Sequence, residues 1–191
     1  MLHVVVRDYR TADWPSVCRI HDLARPIEVG AFMPKGVVLP MEQAAKIDGF
    51  PESQTWVACV DHGEGRLAGF ISVRVPEITW CYVDPALHRQ GVGRQLVEHV
   101  LPQIGSDGFV LCVMENPQAL AFYRSFGFVL AARFPSEVQG YPCQCARLTL
   151  PSSKHRSRAP VPSRAALRLA GFTDSCPGKA VLGDDGVYYW V

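Results

Sequence analysis

The sequence predicts an α/β fold of the α+β kind, in which a central mixed, mostly antiparallel sheet is flanked by helices. Segments of alternating apolar and polar residues, typical of half-buried strands, recur along the chain. The strand-like run 77–83 leads into a glycine turn that opens a helix. A second short helix, over 117–126, is bounded by its own start and stop residues. Together these three observations predict one sheet with a few flanking helices.

The individual elements follow from periodicity and from turn or capping residues. Alternation and apolar runs predict strands at 2–7, 54–60, 66–75, 77–83, 109–114, 128–134 and 143–150. Capping residues and spacing predict helices at 11–23, 92–104 and 117–126. Turn-forming residues at 61–65 predict that the second and third strands form an antiparallel pair. The region from Arg25 to Pro51, rich in Pro, Gly and Met, has the least regular pattern.

The most informative stretch is 88–96, His-Arg-Gln-Gly-Val-Gly-Arg-Gln-Leu, at a strand-to-helix junction. The first N–H groups of a helix have no intrahelical partner and lie at the positive end of its dipole, so a pyrophosphate is stabilised there. Gly91 and Gly93 allow phosphates to approach the main chain, and Arg89 and Arg94 add positive charge. An ordinary tight turn is the alternative. A dinucleotide-binding fingerprint fits less well, because Leu96 stands where that pattern needs a third glycine.

The short helix near residue 120 has clear boundaries in the sequence. Asn116 suits the N-cap, Pro117 suits the first helical position, and Gly127 suits the left-handed residue after the last turn. The alternative to a functional role is that this helix only packs on the core through its apolar residues, which are Leu120, Phe122, Tyr123 and Phe126.

The two segments together resemble the GCN5-related N-acetyltransferase (GNAT) family. That family has an acyl-CoA loop of the pattern Gln/Arg-x-x-Gly-x-Gly/Ala and a later helix with Asn, then Tyr, then Gly-Phe, and both occur here in the expected order. His88 departs from the pattern at its first position. Because main-chain N–H groups do most of the phosphate binding, we expect His88 to retune the loop without abolishing it. The resemblance covers about Leu2 to Leu150 and implies the GNAT fold.

The resemblance implies acetyl-CoA as a co-substrate. In the family the strand before the loop splays away from its neighbour, and the pantetheine arm bonds to the exposed main chain as an added strand does. Those groups here belong to Cys81, Tyr82 and Val83. The expected phosphate-binding residues are His88, Arg89, Gln90, Gly91, Val92, Gly93 and Arg94. Asn116 is expected to bond the pantetheine arm in addition to capping its helix.

Two residues are predicted to be catalytic. Tyr123 matches the family's tyrosine beside the thioester sulfur, where it can protonate the departing thiolate. Glu77 lies at the offset from the loop at which the histone-acetylating branch has its base, and alternation predicts that residues 77, 79, 81 and 83 share one side of the strand. A solvated strand-end glutamate is the alternative. The base used by the branch that acetylates ribosomal-protein N-termini is missing, because Cys112 occupies the nearest position.

Composition limits the function classes. A net charge of +1 over 191 residues gives no reason to expect nucleic acid as a partner. Neither a signal core nor a membrane helix is apparent in the sequence, so we expect a cytoplasmic protein without membrane attachment. The seven cysteines include no CxxC pair. We expect reduced thiols and no metal site.

The sequence therefore predicts an acetyl-CoA-dependent N-acetyltransferase that moves acetyl directly to an amine of a small molecule, peptide or protein. A non-catalytic acyl-CoA-binding regulator and a structural or interaction module on the same fold remain alternatives. The acceptor is not identified by the sequence. In this fold it enters from the side lined by the first helix and the next segment, about His21 to Phe50, where the charges are mixed.

Changes in composition predict three parts of the chain. They are an acetyltransferase domain at 1–150, a Pro/Ser/Arg-rich linker at 151–164, and an extension at 165–191 made of a helix and a hairpin. So short an aromatic segment cannot form its own core. It is expected to dock either on the catalytic domain or on a second subunit of a homodimer.

Overall fold

The computed structural model describes residues 3–34, 36–60 and 65–151, and the backbone of two short strands at 180–182 and 188–190. The strands are β1 (Val4–Asp8), β2 (Gln54–Val60), β3 (Leu67–Arg74), β4 (Glu77–Val83), β5 (Phe109–Val113), β6 (Val129–Val138), β7 (Tyr141–Thr149), β8 (Ala180–Leu182) and β9 (Tyr188–Trp190). The helices are α1 (Trp14–Val29), α2 (Met41–Ile47), α3 (Val92–Ile104) and α4 (Pro117–Arg124).

The strands in the described residues form one sheet of nine, in the order β1-β2-β3-β4-β5-β7-β6-β9-β8. Neighbouring strands are antiparallel except in two pairs, β4 with β5 and β6 with β9. The predicted mixed, mostly antiparallel sheet flanked by helices is therefore confirmed. The predicted turn at 61–65 joins two antiparallel strands, but its residues 61–64 lie outside the described part of the chain.

The helices cover the two faces of the sheet. Buried residues of α3 pack on one face together with Leu120 and Tyr123 of α4. On the other face, Val17 and Ile20 of α1 pack with Met41 of α2. This second face continues towards β6 and β7 through Val29 at the end of α1. Each face thus buries the apolar stripe of a helix pair, which is the main stabilising term for such a sheet.

The first helix differs from its prediction. It was expected to end near Leu23 but continues to Val29, with Pro26 inside it. The proline removes one backbone donor, but the apolar stripe extends past it, and Val29 is fully buried. The burial of this apolar stripe therefore outweighs the loss of one backbone hydrogen bond at Pro26. The region from Arg25 to Pro51, expected to be irregular, also contains α2, whose Met41 is fully buried.

Most other elements lie where they were predicted. β2 and β4 have the predicted bounds, and α3 ends at Ile104 as expected. The hairpin of β6 and β7 is longer than predicted and reaches a turn at Gln139 and Gly140. None of the described helices is both long and apolar enough to span a membrane.

At the C-terminal end the structure describes only backbone. β8 and β9 pair antiparallel, and β9 pairs parallel with β6 at Ala132 and Arg133. The linker beyond residue 151, the helix expected at 165–170 and the hairpin turn at 183–186 lie outside the described residues. The division into domain, linker and extension stays a prediction.

Candidate active site

The candidate site is centred on an opening in the sheet between β4 and β5. These parallel strands pair only at Glu77 with Phe109 and at Ile78 with Val110. Over 79–83 of β4 and 111–113 of β5, no pairing between the two strands is described. We call this opening the β4–β5 gap. Its edges carry main-chain groups that an extended ligand can bond as a further strand.

The loop after β4 has the backbone of an anion site. Arg89 has a φ of 63° and Gly91 a φ of 89°, both in the left-handed region. A non-glycine residue in this region is unusual and is concentrated at functional loops. The N–H of Gln95 donates to the carbonyl of Gly91 as α3 begins. The N–H groups of the three helical residues before Gln95 precede any intrahelical bond, so they are available to a phosphate.

The two glycines of the loop serve different purposes. A Cβ on Gly91 would meet no atom within 4 Å, so its need for glycine comes from its backbone conformation and from open space where a phosphate can bind. A Cβ on Gly93 would lie 3.2 Å from the ring of Phe122. Gly93 therefore allows α3 and α4 to approach each other closely.

Two side chains of the loop, those of His88 and Arg94, contact other groups of the protein. Nε2 of His88 donates to the carbonyl oxygen of Val83 at 3.1 Å, which ties the loop to the end of β4. Arg94 is 3.3 Å from Glu98 and lies over the ring of Phe126. The exposed backbone and side chain of Arg89 remain at the loop surface. The expected phosphate contacts of these residues stay predictions.

Asn116 begins α4 as the sequence predicts. Its side-chain oxygen accepts from the N–H of Ala119 at 3.0 Å, and Pro117 follows at the first helical position. This capping bond orients α4 so that Tyr123 points into the core beside the β4–β5 gap. A contact of Asn116 with a pantetheine arm stays a prediction.

The Tyr123 hydroxyl lies between the two strands that border the gap. The phenol interacts electrostatically with the thiol of Cys81 on β4 and with that of Cys112 on β5. Burial raises the pKa of Tyr123 well above its ordinary value. The phenol is therefore protonated at neutral pH and can donate a proton.

The alternation of β4 is interrupted by a bulge. Trp80 pairs with Ser72, but Ile78 pairs with Val73, so β4 contains one extra residue. An extra residue of this kind reverses the side to which later side chains point. Ile78 and Cys81 consequently pack in the same core under α3, although they are three residues apart. The expectation of one shared side is therefore wrong for residues 77, 79, 81 and 83.

Glu77 lies on the face opposite Cys81, at the closed end of the gap. It is buried and forms an ion pair with Arg74 at 3.3 Å. Burial raises the pKa of Glu77, and the nearby Arg74 and Arg147 only partly oppose this. The structure does not bring Glu77 to Tyr123, and its role as base stays a prediction.

On the α1 side, Arg25 and Glu28, which are not among the predicted site residues, meet the side chain of Tyr82, a residue predicted to bind the cofactor through its main chain. The Tyr82 hydroxyl donates to Oε2 of Glu28 at 2.6 Å, and Nη1 of Arg25 donates to the same oxygen at 2.8 Å. Arg25 also lies 3.1 Å from the Tyr82 hydroxyl. Burial favours a lower pKa for Arg25, but Glu28 and Tyr82 outweigh it and raise the pKa. Arg25 therefore stays cationic.

A cavity of about 380 Å³ adjoins this cluster on the same face. Arg25 lines it on one side, and Asp48 at the end of α2 provides a carboxylate. Burial raises the pKa of Asp48 to about 6, an effect that Arg25 opposes. The remaining lining residues come from 37–39, α2 and the β6–β7 hairpin, and they are Val37, Leu39, Ile47, Val138, Gln139 and Tyr141.

The described residues contain no group of three His, Cys, Asp or Glu side chains arranged to hold a metal ion. Six of the cysteines are described, and each is a free thiol.

Comparisons with known proteins agree with this geometry. The profile of the acetyltransferase (GNAT) domain family matches residues 51–130, which contain β4, the loop and α4. The peptidyl-lysine N-acetyltransferase YjaB of Salmonella typhimurium is 33% identical over 105 residues, which are 54% of this chain and 70% of that protein.

Solved structures share the fold. The ribosomal-protein-S18-alanine N-acetyltransferase from Escherichia coli superimposes with a TM-score of 0.59 at 20% identity, over 83% of this chain and 100% of that one. The yncA protein from Salmonella typhimurium, solved with its cofactor acetyl-CoA, gives a TM-score of 0.58 at 16% identity, over 82% of this chain and 98% of that one. At these identities the likeness concerns the fold alone.

Proposed function

The chain belongs to the GCN5-related N-acetyltransferase family, and on that premise we propose that it transfers acetyl from acetyl-CoA to the side-chain amine of a lysine in a peptide or protein. The family and its relatives have N-acetyltransferase activity in common. The hypotheses of a non-catalytic regulator and of a structural module are therefore not retained. The acceptor class rests on one observation, the cavity that holds Asp48 among apolar walls.

The residues of the loop fit an acyl-CoA. The unpaired N–H groups at the start of α3 and the open space at Gly91 accommodate a pyrophosphate. The exposed main chain of Cys81, Tyr82 and Val83 accommodates an extended arm along the β4–β5 gap. Acetyl-CoA supplies an activated thioester, and these groups hold its carbonyl next to Tyr123.

Tyr123 acts in this proposal as the general acid. As the C–S bond breaks, its hydroxyl donates a proton to the thiolate sulfur. A buried phenol with a raised pKa suits this role, because it remains protonated until the thiolate forms. Its interaction with the Cys81 thiol supports a position of the hydroxyl at the gap.

The acceptor binds in the cavity on the α1 and α2 face. Its apolar walls suit the four-carbon stem of lysine, and the Asp48 carboxylate suits an ammonium group at the entrance. Small polar amines lack the stem that such walls bind. The name of YjaB, a peptidyl-lysine enzyme, supports the same class.

Glu77 remains the base predicted from the sequence. Deprotonating a lysine at pH 7 costs about 4.6 kcal/mol, against about 1.4 kcal/mol for an α-amino group, so a lysine acceptor needs a base. If Glu77 is that base, Glu77→Gln removes the rise of the rate at low pH. An unchanged profile transfers the role to another group.

Matched peptides test the acceptor. One is Nα-acetylated and contains a single internal lysine, and the other has a free N-terminal alanine and arginine in place of that lysine. With acetyl-CoA, we expect faster release of free thiol with the first peptide, and mass spectrometry should locate the acetyl group on the lysine. Preferred acetylation of the alanine peptide, or of spermidine over both, would contradict a peptidyl-lysine acceptor.

Two further proposals concern the setting of the enzyme. Six free thiols among the described residues suit the reducing cytoplasm, where we place the protein. The pairing of β9 with β6 suits an extension that docks on the catalytic domain of its own chain, although exchange between two subunits of a homodimer gives the same backbone pairing. Size measurement in solution separates the two arrangements.

A further inference from the structure

The extended end of α1 places charged side chains over the β4–β5 gap. His21, Arg25 and Glu28 are spaced by four and three residues, so they share one face of the helix. The His21 ring packs at 5.2 Å from that of Tyr82, and Arg25 and Glu28 bond the Tyr82 hydroxyl. If α1 ended at Leu23, Glu28 would not be held at this place. The part of the helix around Pro26 therefore positions Glu28, in addition to packing on the sheet.

The Glu28 carboxylate is fixed but still reachable by a substrate. Both of its described hydrogen bonds, from Tyr82 and Arg25, converge on Oε2. The other oxygen, Oε1, is the one that can accept from an incoming ammonium group. The Glu28 side chain is 25% exposed to solvent.

The carboxylate also acts across the gap. Glu28 contributes to raising the pKa of Cys81 on β4, of Cys112 on β5 and of Tyr123 behind them. These three groups lie on the α3 and α4 face, whereas Glu28 reaches the sheet from α1. Its negative charge therefore reaches the other face at the place where β4 and β5 are unpaired.

We propose that Glu28 is the catalytic base that takes the proton from the acceptor ammonium, with Arg25 and Tyr82 as its positioning residues. This assignment rests on the family's amine chemistry and on the acceptor side proposed above. Arg25 lines the acceptor cavity and donates to Glu28, which connects this carboxylate to the proposed acceptor side. Glu77 has no comparable connection, because it lies at the closed end of the gap with Arg74.

The proposed reaction transfers one acetyl group and releases one proton. Oε1 of Glu28 accepts one proton from R–NH₃⁺, and the free amine attacks the thioester carbonyl carbon, so that a C–N bond forms and the C–S bond breaks. Tyr123 gives its proton to the departing sulfur, and the second proton lost by the nitrogen restores the phenol. Glu28 then releases its proton to solvent. The products are the acetylated amine, free CoA thiol and one proton.

The groups around Glu28 are one cation, one phenol and one imidazole. Arg25 stays cationic, and the Tyr82 phenol, whose pKa burial raises, remains a hydrogen-bond donor to the carboxylate. Burial lowers the pKa of His21, which is neutral at neutral pH and adds no charge. The other titratable groups that Glu28 affects are the uncharged Cys81, Cys112 and Tyr123.

The test compares Glu28→Gln with Glu77→Gln and with Glu42→Gln, an exposed carboxylate change on the neighbouring α2. The rate constant kcat/KM is measured from about pH 6 to about pH 10 with acetyl-CoA and the single-lysine peptide. Glutamine keeps an oxygen for Tyr82 and Arg25, and calorimetry with CoA checks that cofactor binding is intact. If the peptide is not accepted, the proposed acceptor is wrong, and the comparison uses whichever amine the wild type turns over, such as spermidine.

For Glu28→Gln we expect kcat/KM at pH 7 to fall about 100- to 10,000-fold, the usual contribution of a general base. The wild-type rate should level off while the lysine is still protonated, whereas that of the variant should keep rising towards the lysine pKa near 10.4. Glu28→Asp should recover part of the rate, and Tyr82→Phe should lose less than Glu28→Gln. A wild-type profile in Glu28→Gln, or a changed profile in Glu77→Gln alone, would overturn the assignment.

Discussion

The two sides of the β4–β5 gap present different kinds of chemical groups. On the α3 and α4 side, one loop and one capped helix supply backbone N–H groups, main-chain strand edges and the single phenol of Tyr123. On the α1 and α2 side, Arg25, Glu28 and Asp48 supply charged side chains at the ends of two helices. The α3 and α4 side is suited to binding acetyl-CoA, which is the same molecule in every reaction. The α1 and α2 side is suited to selecting among acceptor amines.

This difference explains why the two sides respond differently to sequence change. Main-chain groups do not change when a side chain is replaced, so the cofactor side depends on a few positions where glycine or a cap is needed. The acceptor side depends on side-chain identity at every position. Substitutions on the first side should therefore impair cofactor binding, whereas those on the second should alter the acceptor KM or the pH profile.

The largest expected effect is on the cofactor side. Gly91→Glu should raise the Kd for acetyl-CoA by at least about 100-fold, because a carboxylate enters the phosphate site and a left-handed backbone is forced on a residue with a Cβ. Gly140→Glu is the matched control, since Gly140 also has a positive φ and open space but lies in the β6–β7 turn. Calorimetry on both variants measures the Kd for acetyl-CoA. Equal affinities would show that the loop does not bind the cofactor.

The next effect concerns the chemical step. Tyr123→Phe should lower kcat by about 10- to 1000-fold with little change in the Kd for acetyl-CoA, because it removes the acid and keeps the ring packing. Tyr9→Phe, whose ring packs on Phe50 at 5.9 Å, is the control and should leave kcat unchanged. If Tyr123→Phe retains the wild-type kcat, the leaving thiolate does not need this phenol.

A smaller effect is expected on the acceptor side. Asp48→Asn should raise the KM for the lysine peptide about tenfold at pH 8, which corresponds to about 1.4 kcal/mol, and leave the KM for acetyl-CoA unchanged. Since the pKa of Asp48 is about 6, the wild-type acceptor KM should also rise as the pH falls below that value. The acceptor KM of the variant should lack this rise. If the acceptor KM rises equally in the wild type and the variant as the pH falls, Asp48 does not bind the acceptor.

The free energy of unfolding of Asp48→Asn provides a control, because the sign of its expected change is known. A carboxylate whose folded pKa is raised is destabilising when ionised, and its contribution worsens as the pH rises from its unfolded value near 3.8 to about 6. The free energy of unfolding of the variant at pH 7 should therefore equal or exceed that of the wild type. A large loss would mean that a changed KM reflects misfolding.

The smallest effect on catalysis is expected from the C-terminal extension. Truncation after Leu150 exposes the edge of β6 that β9 covers at Ala132 and Arg133, so the protein should aggregate more readily and melt at a lower temperature. Light scattering and thermal melting check this. A truncated enzyme as soluble, stable and active as the full chain would contradict a docked extension.

The sequence was sufficient to predict the strand, loop and helices on the α3 and α4 side but not the arrangement on the α1 and α2 side, for physical reasons. The loop and α4 are each a short contiguous segment, and their glycines, caps and apolar spacing are local signals that fix strand, turn and helix. The first helix was predicted to end near Leu23, whereas the buried Val29 shows that tertiary packing extends it past Pro26. The bulge near Trp80, which moves Glu77 to the other face from Cys81, depends on pairing with β3. Only the spacing of His21, Arg25 and Glu28 could have indicated their shared face.

The central claim is that acetyl passes directly between substrates that bind on opposite sides of the gap, and initial rates over a grid of both substrate concentrations test it most directly. Burial raises the pKa of Cys81 to about 12, so this thiol beside Tyr123 is not a nucleophile at neutral pH. The account predicts intersecting reciprocal plots and no acetylated Cys81 when the enzyme is mixed with acetyl-CoA alone. Parallel plots, with a burst of free thiol equal to the enzyme concentration before any acceptor is added, would contradict it.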